Sequence, residues 1–217
     1  MTLFRGFMRS LVLGTLVSFV GVGLVALAQP AQAQPRAAAP ANKPMPEVDA
    51  EKLFAAIVKV SVRATPEARS AASLGAEREG TGIVVGENGL ILTIGYLIVE
   101  AEEVTVSDGN GRTLAAQVVG YDHATGFGLL RTLAPLDVKP VVFGDSTRVA
   151  ERDPVMIASV GDDAISFAFV VSKRPFSGNW EYALDQAIFT SPPTLNWSGA
   201  ALLDKDGDPV IKQDLDL

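Results

Sequence analysis

The chain contains no cysteine and a single histidine, His123. The first absence excludes disulfides, thiol catalysis and cysteine-ligated zinc together, and the second excludes most histidine metal sites. Positive charge is also scarce. Lys and Arg number 18 against 25 acidic residues, for a formal net charge of -7. The basic residues form no cluster beyond Lys173-Arg174, so there is no footprint for nucleic acid. Beyond the N-terminal region, no long segment repeats its apolar residues every 3.6 positions, which argues against a helical architecture. No cofactor and no metal is expected.

What is present is a chain of 217 residues, 48% hydrophobic and 20% charged, enough for one or two domains with a true core. Arg5 and Arg9 precede an uncharged apolar run from Leu11 to Ala28, and Ala31-Gln32-Ala33 fits a small-x-small cleavage pattern. Residues 1–33 therefore read as a secretory signal peptide, placing the rest in the periplasm or outside the cell. The alternative is an uncleaved N-terminal membrane anchor, because the run approaches the ~20 residues that span a bilayer. Cleavage would remove two arginines and no acid, leaving the remainder two charges more negative. Residues 34–46, "QPRAAAPANKPMP", hold four prolines and little bulk, and read as a disordered linker. The remaining stretch, 47–217, reads as one folded region.

In that region Asp49 is a plausible N-cap for a short helix with Leu53, Phe54 and Ile57 on one face. Val58, Val60 and Val62 then alternate with Lys59, Ser61 and Arg63, the period of a strand. Residues 65–80 are rich in Ala, Ser and charge and read as a loop. Short strands follow. Thr81–Val85 and Leu90–Thr93 flank Gly86-Glu87-Asn88-Gly89, where Asn-Gly supplies the positive φ angles of a hairpin. Val104–Ser107 and Arg112–Val119 flank Asp108-Gly109-Asn110-Gly111. Leu129–Leu133, Pro154–Val160, Ile165–Ser172, Tyr182–Thr190, Ala200–Leu203 and Val210-Ile211 complete the set. Strands this short and regular, joined by such turns, indicate an all-β barrel or sandwich.

Several side chains invite a chemical reading. Asp204, Asp206 and Asp208 resemble a calcium loop, but glycine comes at the fourth position and Leu215 stands at the twelfth, so a hairpin turn is the better reading. Asn196-Trp197-Ser198 is formally a glycosylation sequon. Asp122-His123 is the only carboxylate–imidazole neighbour pair and reads first as a turn. Ser198 lies in a loop feeding a strand, where a serine becomes a nucleophile only if a base takes its proton and N–H groups hold the oxyanion.

From Thr81 to Gly207 the chain resembles the trypsin-like serine proteases of the HtrA (high-temperature-requirement, Deg) type. "GTGIVVGENGLILT" resembles that family's opening hairpin. "EEVTVSDGNGRTLAAQVVGYDHATGFGLLR" resembles the strands around its "D..TDLALL". "VVFGDSTRVAERDPVMIAS" resembles its "LGDS..L..GD.V.AIG", and "NWSGAALLDKDG" its nucleophile loop, "GNSGGPLLN.DG". The resemblance implies a secreted or periplasmic protein with a double six-stranded β-barrel and a catalytic cleft between the barrels.

Residue by residue, the implied site is altered. Ser198 matches the nucleophile. Tyr96, in "TIGYLI", stands where the family has histidine in "TNAHVV", and Gly126 stands at the aspartate. Asn196 and Trp197 alter the oxyanion loop, although Asn can adopt the left-handed backbone that Gly favours. A phenol, with a pKa near ~10, is a poor acceptor for a serine proton at neutral pH. Loss of the histidine alone typically costs about 10⁶ in kcat. His123, on the aspartate's own loop, would have to swing into the histidine's place to serve instead. The ten residues after Gly207 leave the second barrel incomplete or differently closed, and a missing strand would expose an edge. The family's peptide-binding PDZ domain is not matched. The expectation is a pseudoprotease that binds a peptide or unfolded protein segment. Ile94, Leu97 and Trp197 form either a groove or a filled core. The alternatives are an active serine endopeptidase using Ser198 with a non-standard base, and a truncated fragment without function.

Overall fold

The computed structural model describes residues 50–162, 164–178 and 183–211. The leader, the linker, Asp49, Asp163, Tyr182 and the chain beyond Ile211 lie outside the described residues. All described residues belong to the compact unit Pro40–Leu217. Among them, no helix is long and apolar enough to cross a membrane.

The first half is a closed six-stranded antiparallel barrel. Helix α1 (Ala50–Ala56) leads into β1 (Ile57–Ala64), and helix α2 (Ala71–Leu74) precedes β2 (Glu77–Gly86). Then come β3 (Leu90–Ile94), helix α3 (Gly95–Ile98), β4 (Ala101–Ser107), β5 (Thr113–Tyr121) and β6 (Phe127–Thr132). They pair in the order β1-β2-β3-β6-β5-β4 and close. The alternation in β1 explains the core directly. Val58, Val60 and Val62 point inward against Val84, Ile91, Val106 and Leu130, all buried. Lys59 and Arg63 point outward, to Glu79 and to Glu102 and Glu103.

The second half starts with the two-residue β7 (Gly144–Asp145) and a 3-10 turn at Ser146–Arg148. Strands β8 (Pro154–Ala158), β9 (Ile165–Ser177), β10 (Ala183–Ser191) and β11 (Ala201–Leu203) form an antiparallel sheet ordered β10-β9-β8-β11. Strand β12 (Val210–Ile211) pairs in parallel with β7. Val155, Ile157, Ala168 and Val170 fill the inner side of this sheet with Val149. Leu53, Ile57 and Ile83 pack against Met156, Ala158, Ala201 and Leu203 and join the two halves. The all-β architecture with an incomplete second barrel thus matches the reading of the sequence.

Three local expectations are corrected. Residues 65–80 are not all loop: Glu77–Gly80 opens β2, whose polar outer row hid it, and Ala71–Leu74 is helical. The Gly86–Gly89 turn takes its positive φ at Gly89 alone, because Asn88 stays out of the left-handed region. Strand ends also move. Strand β9 runs on to Ser177 because β10 pairs along it as far as Ala183, a contact that local sequence does not carry.

Candidate functional site

The site is built on the seam between the halves. Strand β3 ends at Ile94, and the short helix α3 follows. Gly95 is required there, since a β-carbon would lie 2.1 Å from the Tyr121 ring. Leu97 and Ile98 turn into the barrel core, which leaves Tyr96 half-buried and directed to the seam. The phenol Oη of Tyr96 donates to Ser198 Oγ at 2.7 Å. Ser198 in turn donates a longer bond, 3.4 Å, to the carbonyl of Glu79. The Trp197 ring tilts over Tyr96 at 5.9 Å between centroids and is 66% exposed.

The serine loop is pinned to β2 and β3. Thr81 N–H donates to Ser198 O at 2.8 Å, and Thr93 Oγ1 donates to Thr81 O at 2.7 Å. Thr81 Oγ1 accepts from Val160 N–H at 3.1 Å, tying in the loop after β8. Gly199 has φ 72° and passes so close that a β-carbon would lie 2.2 Å from Thr81 O. A β-carbon at Gly80 would lie 2.7 Å from Ser198 Oγ.

The remaining candidates fall at different places. Gly126 has φ 76°, and its carbonyl accepts from Gly95 N–H at 2.7 Å, so its backbone holds the Tyr96 segment while no side chain faces the serine. His123 is exposed and packs edge to face on Tyr121, 4.5 Å between centroids. Among the described residues no hydrogen bond joins it to Ser198. Its neighbour Asp122 accepts from Thr125 Oγ1 and Ala124 N–H, which hold its carboxyl below the usual carboxylate range. Asn196 does not enter the left-handed region, whereas Gly199, three residues on, has φ 72°. Asp204 caps a hairpin turn, accepting from Asp206 and Asp208 N–H groups. Burial pushes the Asp208 carboxyl up, with the nearby charges of Asp204 and Asp206 adding to it.

One buried polar group was not legible in the sequence. Arg78 is buried, 5% exposed, behind α3. Its Nη1 donates to the carbonyls of Val99, Tyr96 and Leu97 at 2.6, 3.1 and 3.4 Å. Its Nη2 donates to Ser70 Oγ at 2.7 Å, and that hydroxyl donates to Glu100 Oε2 at 2.6 Å. Burial lowers the Arg78 pKa, and the Glu100 charge opposes that shift. Only the i+2 alternation from Gly80 back to Arg78 could have signalled an inward position.

A cleft of about 260 Å³ opens beside Tyr96, lined by Ile94, Phe127, Trp197, Leu202, Pro209 and Val210 among others, and by no charged side chain. The earlier choice between groove and core divides: Leu97 is core, whereas Ile94 and Trp197 line the cleft. A closed six-stranded barrel beside a second, partial one, with a serine on the seam, is the arrangement of the two-barrel serine-peptidase folds. The chain belongs to the trypsin-like peptidase domain family, which matches residues 80–210.

Its relatives are of the HtrA type. It is 24% identical over 147 residues to a serine protease HtrA-like protein of Staphylococcus epidermidis, covering 59% of this chain and 25% of that one. It is 34% identical over 67 residues to a probable periplasmic serine endoprotease DegP-like of Halomonas elongata, covering 31% and 14%. The chain thus spans a quarter or less of the curated relatives it matches. Among solved structures, the HtrA-type protease AlgW with tripeptide superposes with TM-score 0.60 at 18% identity, over 73% of this chain and 50% of that one. The MamO protease domain from Magnetospirillum magneticum superposes with TM-score 0.56 at 19% identity, over 74% and 84%.

Proposed function

We propose that this member of the trypsin-like peptidase family binds peptide or an unfolded protein segment and does not carry out efficient proteolysis. The observation that carries the reading is the Tyr96–Ser198 hydrogen bond at 2.7 Å. A working nucleophile gives its proton to a base, but here the neighbour is a phenol that donates a hydrogen bond to the serine. Ser198 itself donates to the backbone carbonyl of Glu79, which is no base. Gly126 offers no carboxylate to orient an imidazole, and His123 packs on Tyr121 instead of reaching the serine.

The apolar cleft beside Trp197 supports binding. Of its lining residues, Tyr96 and Thr93 use their hydroxyls to donate to protein oxygens. It is therefore suited to an uncharged apolar side chain, and its volume falls below the ~300 Å³ of the smallest drug-sized pockets. AlgW, a neighbour in fold, was solved with a tripeptide and with a decapeptide. In this proposal Ser198, Tyr96 and Gly126 occupy the nucleophile, base and aspartate positions, with Asn196 and Trp197 in the oxyanion loop.

Residues 1–33 are proposed as the export leader, 34–46 as a linker and 47–217 as the folded domain. A relative named as probably periplasmic agrees with that compartment. A mature chain beginning at Gln34 supports it, whereas a full-length chain in the membrane fraction makes the segment an anchor.

A fluorophosphonate serine probe tests the chemistry. The purified chain should resist labelling to the same degree as Ser198→Ala and leave casein intact. Labelling that disappears in Ser198→Ala, together with casein cleavage, makes the protein an active endopeptidase. Binding is read separately, as quenching or enhancement of Trp197 fluorescence by an apolar tripeptide, absent in Trp197→Phe.

A further inference from the structure

Successive side chains of a strand point to opposite faces of its sheet. In β9, Ala168 and Val170 fill the inner side, so Phe167, Phe169 and Val171 point outward, and all three are exposed. Past the register shift opposite Thr190, Lys173 turns inward to the carbonyls of Ser146 and Val149, which leaves Arg174 on the outer face. The chain leaving β10 continues the pattern. Ser191 pairs with Phe169, and the Ser166 and Thr194 hydroxyls meet at 3.1 Å, which keeps the same register. By that register Pro193 falls opposite Phe167 and Leu195 opposite Ile165. Pro193, Leu195 and Trp197 are exposed, whereas Thr194 and Asn196 between them are half-buried. An apolar stripe thus runs from Trp197, at the mouth of the Ser198 cleft, past Leu195, Pro193, Phe167 and Phe169 to Val171.

Three features select what covers the stripe. It is continuous with the cleft, so a chain seated in the cleft by one side chain is led onto it. It is also narrow. With about half of each ring exposed, Phe167, Phe169 and Trp197 together offer on the order of 300 Å². That falls short of the ~800 Å² per partner of a stable interface between folded proteins, and suits a single extended chain. Finally, the six side chains of the stripe carry no charge, and a cation closes its far end. The Arg174 guanidinium stacks over the Phe189 ring at 4.3 Å, and among the described residues no carboxylate pairs with it. A carboxylate on the bound chain would find an unpaired partner there.

We propose that the outer face of β9 and the 191–197 segment is an exosite for the same unfolded protein segment that the cleft receives. The inference builds on the reading that this chain binds such a segment, and it names the segment's pattern. One apolar side chain enters the cleft beside Trp197. Every second side chain after it is apolar and lies on Leu195, Phe167, Phe169 and Val171. An aspartate or glutamate follows at Arg174. At ~3.3 Å per residue, about eleven extended residues span from Trp197 to Arg174.

The test is calorimetric binding to the full chain of the synthetic peptide LTVSVTVSVTD, its reversed sequence, and an apolar tripeptide that reaches the cleft alone. One of the long peptides should bind about tenfold tighter than the tripeptide. Leu195→Ser, at a side chain 84% exposed, and Phe169→Ser should each remove that gain and leave tripeptide binding unchanged. Arg174→Glu should weaken the aspartate peptide and favour the same peptide ending in lysine. A tripeptide that binds with no gain from either long peptide overturns the exosite alone, whereas failure of all three peptides overturns the binding reading itself. A gain that survives both serine variants, or a charge preference that Arg174→Glu leaves unchanged, also overturns the exosite. So does a dimer, seen by sedimentation, or attachment to phosphatidylcholine vesicles, if Leu195→Ser abolishes it.

Discussion

Tyr96 and Ser198 meet across the seam of the molecule, with the phenol Oη donating to the serine Oγ at 2.7 Å. One comes from α3, just after the first barrel's third strand, and the other from the loop before β11. Thr81, bonded to both the serine loop and the loop after β8, sets their spacing.

Restoring histidine alone should not restore hydrolysis. Tyr96→His has no carboxylate to orient it, because Gly126 carries no side chain. Fluorophosphonate labelling and casein cleavage are expected at background. Adding Gly126→Asp places a β-carbon at φ 76°. That left-handed backbone costs roughly 1–2 kcal/mol for an L-residue, so the double variant should be less stable than Tyr96→His by that order in urea titration.

Arg78 holds the segment that carries Tyr96. In Arg78→Met the buried carbonyls of Tyr96, Leu97 and Val99 lose their donor. An orphaned buried acceptor costs about 1–3 kcal/mol, so a loss on the order of 3 kcal/mol is expected in chemical denaturation. Arg78→Lys should recover only part of it, since an ammonium cannot reach Gly75, Ser70 and α3 together as the guanidinium fork does.

Gly199→Ala should be among the most damaging small changes near the site. Its β-carbon would meet Thr81 O, a backbone atom that cannot rotate away. Overpacking of that kind typically costs about 1–3 kcal/mol, and the left-handed φ adds to it. Thermal melting should show the drop, with Ser198→Ala melting close to the parent.

Two carboxylates should respond to pH with opposite sign. Hydrogen bonds from Ser70, its hydroxyl first and then its N–H, hold Glu100 below its usual range. Its contribution is present above the ordinary carboxylate pKa and is lost as pH falls through the lowered value. Glu100→Gln should therefore lower the melting temperature at pH 7 and matter little in acid. Asp208 is pushed up by burial. Its ionisation opposes folding as pH rises through the raised value, so Asp208→Asn should raise the melting temperature at pH 7 and leave it unchanged below the carboxylate range.

Much of the fold could be read along the chain. The alternation in Val58–Arg63 set an inward and an outward face before any partner was known. Gly89, Gly111 and Gly207 marked turns because their positive φ is a local property of the backbone. Strand β2 was legible only from Thr81 onward, since Glu77 and Glu79 look like loop and Arg78 looks like surface.

The sequence by itself determined the all-β class, the turns and the identities Tyr96, Gly126 and Ser198, since these rest on periodicity and on residue chemistry. Only the tertiary structure decided that the phenol donates to the serine, that Leu97 is core while Trp197 lines a cleft, and that Arg78 lies buried behind α3. Each of these depends on segments far apart in the chain, and local propensity carries no information about which distant backbone will supply a hydrogen-bond partner.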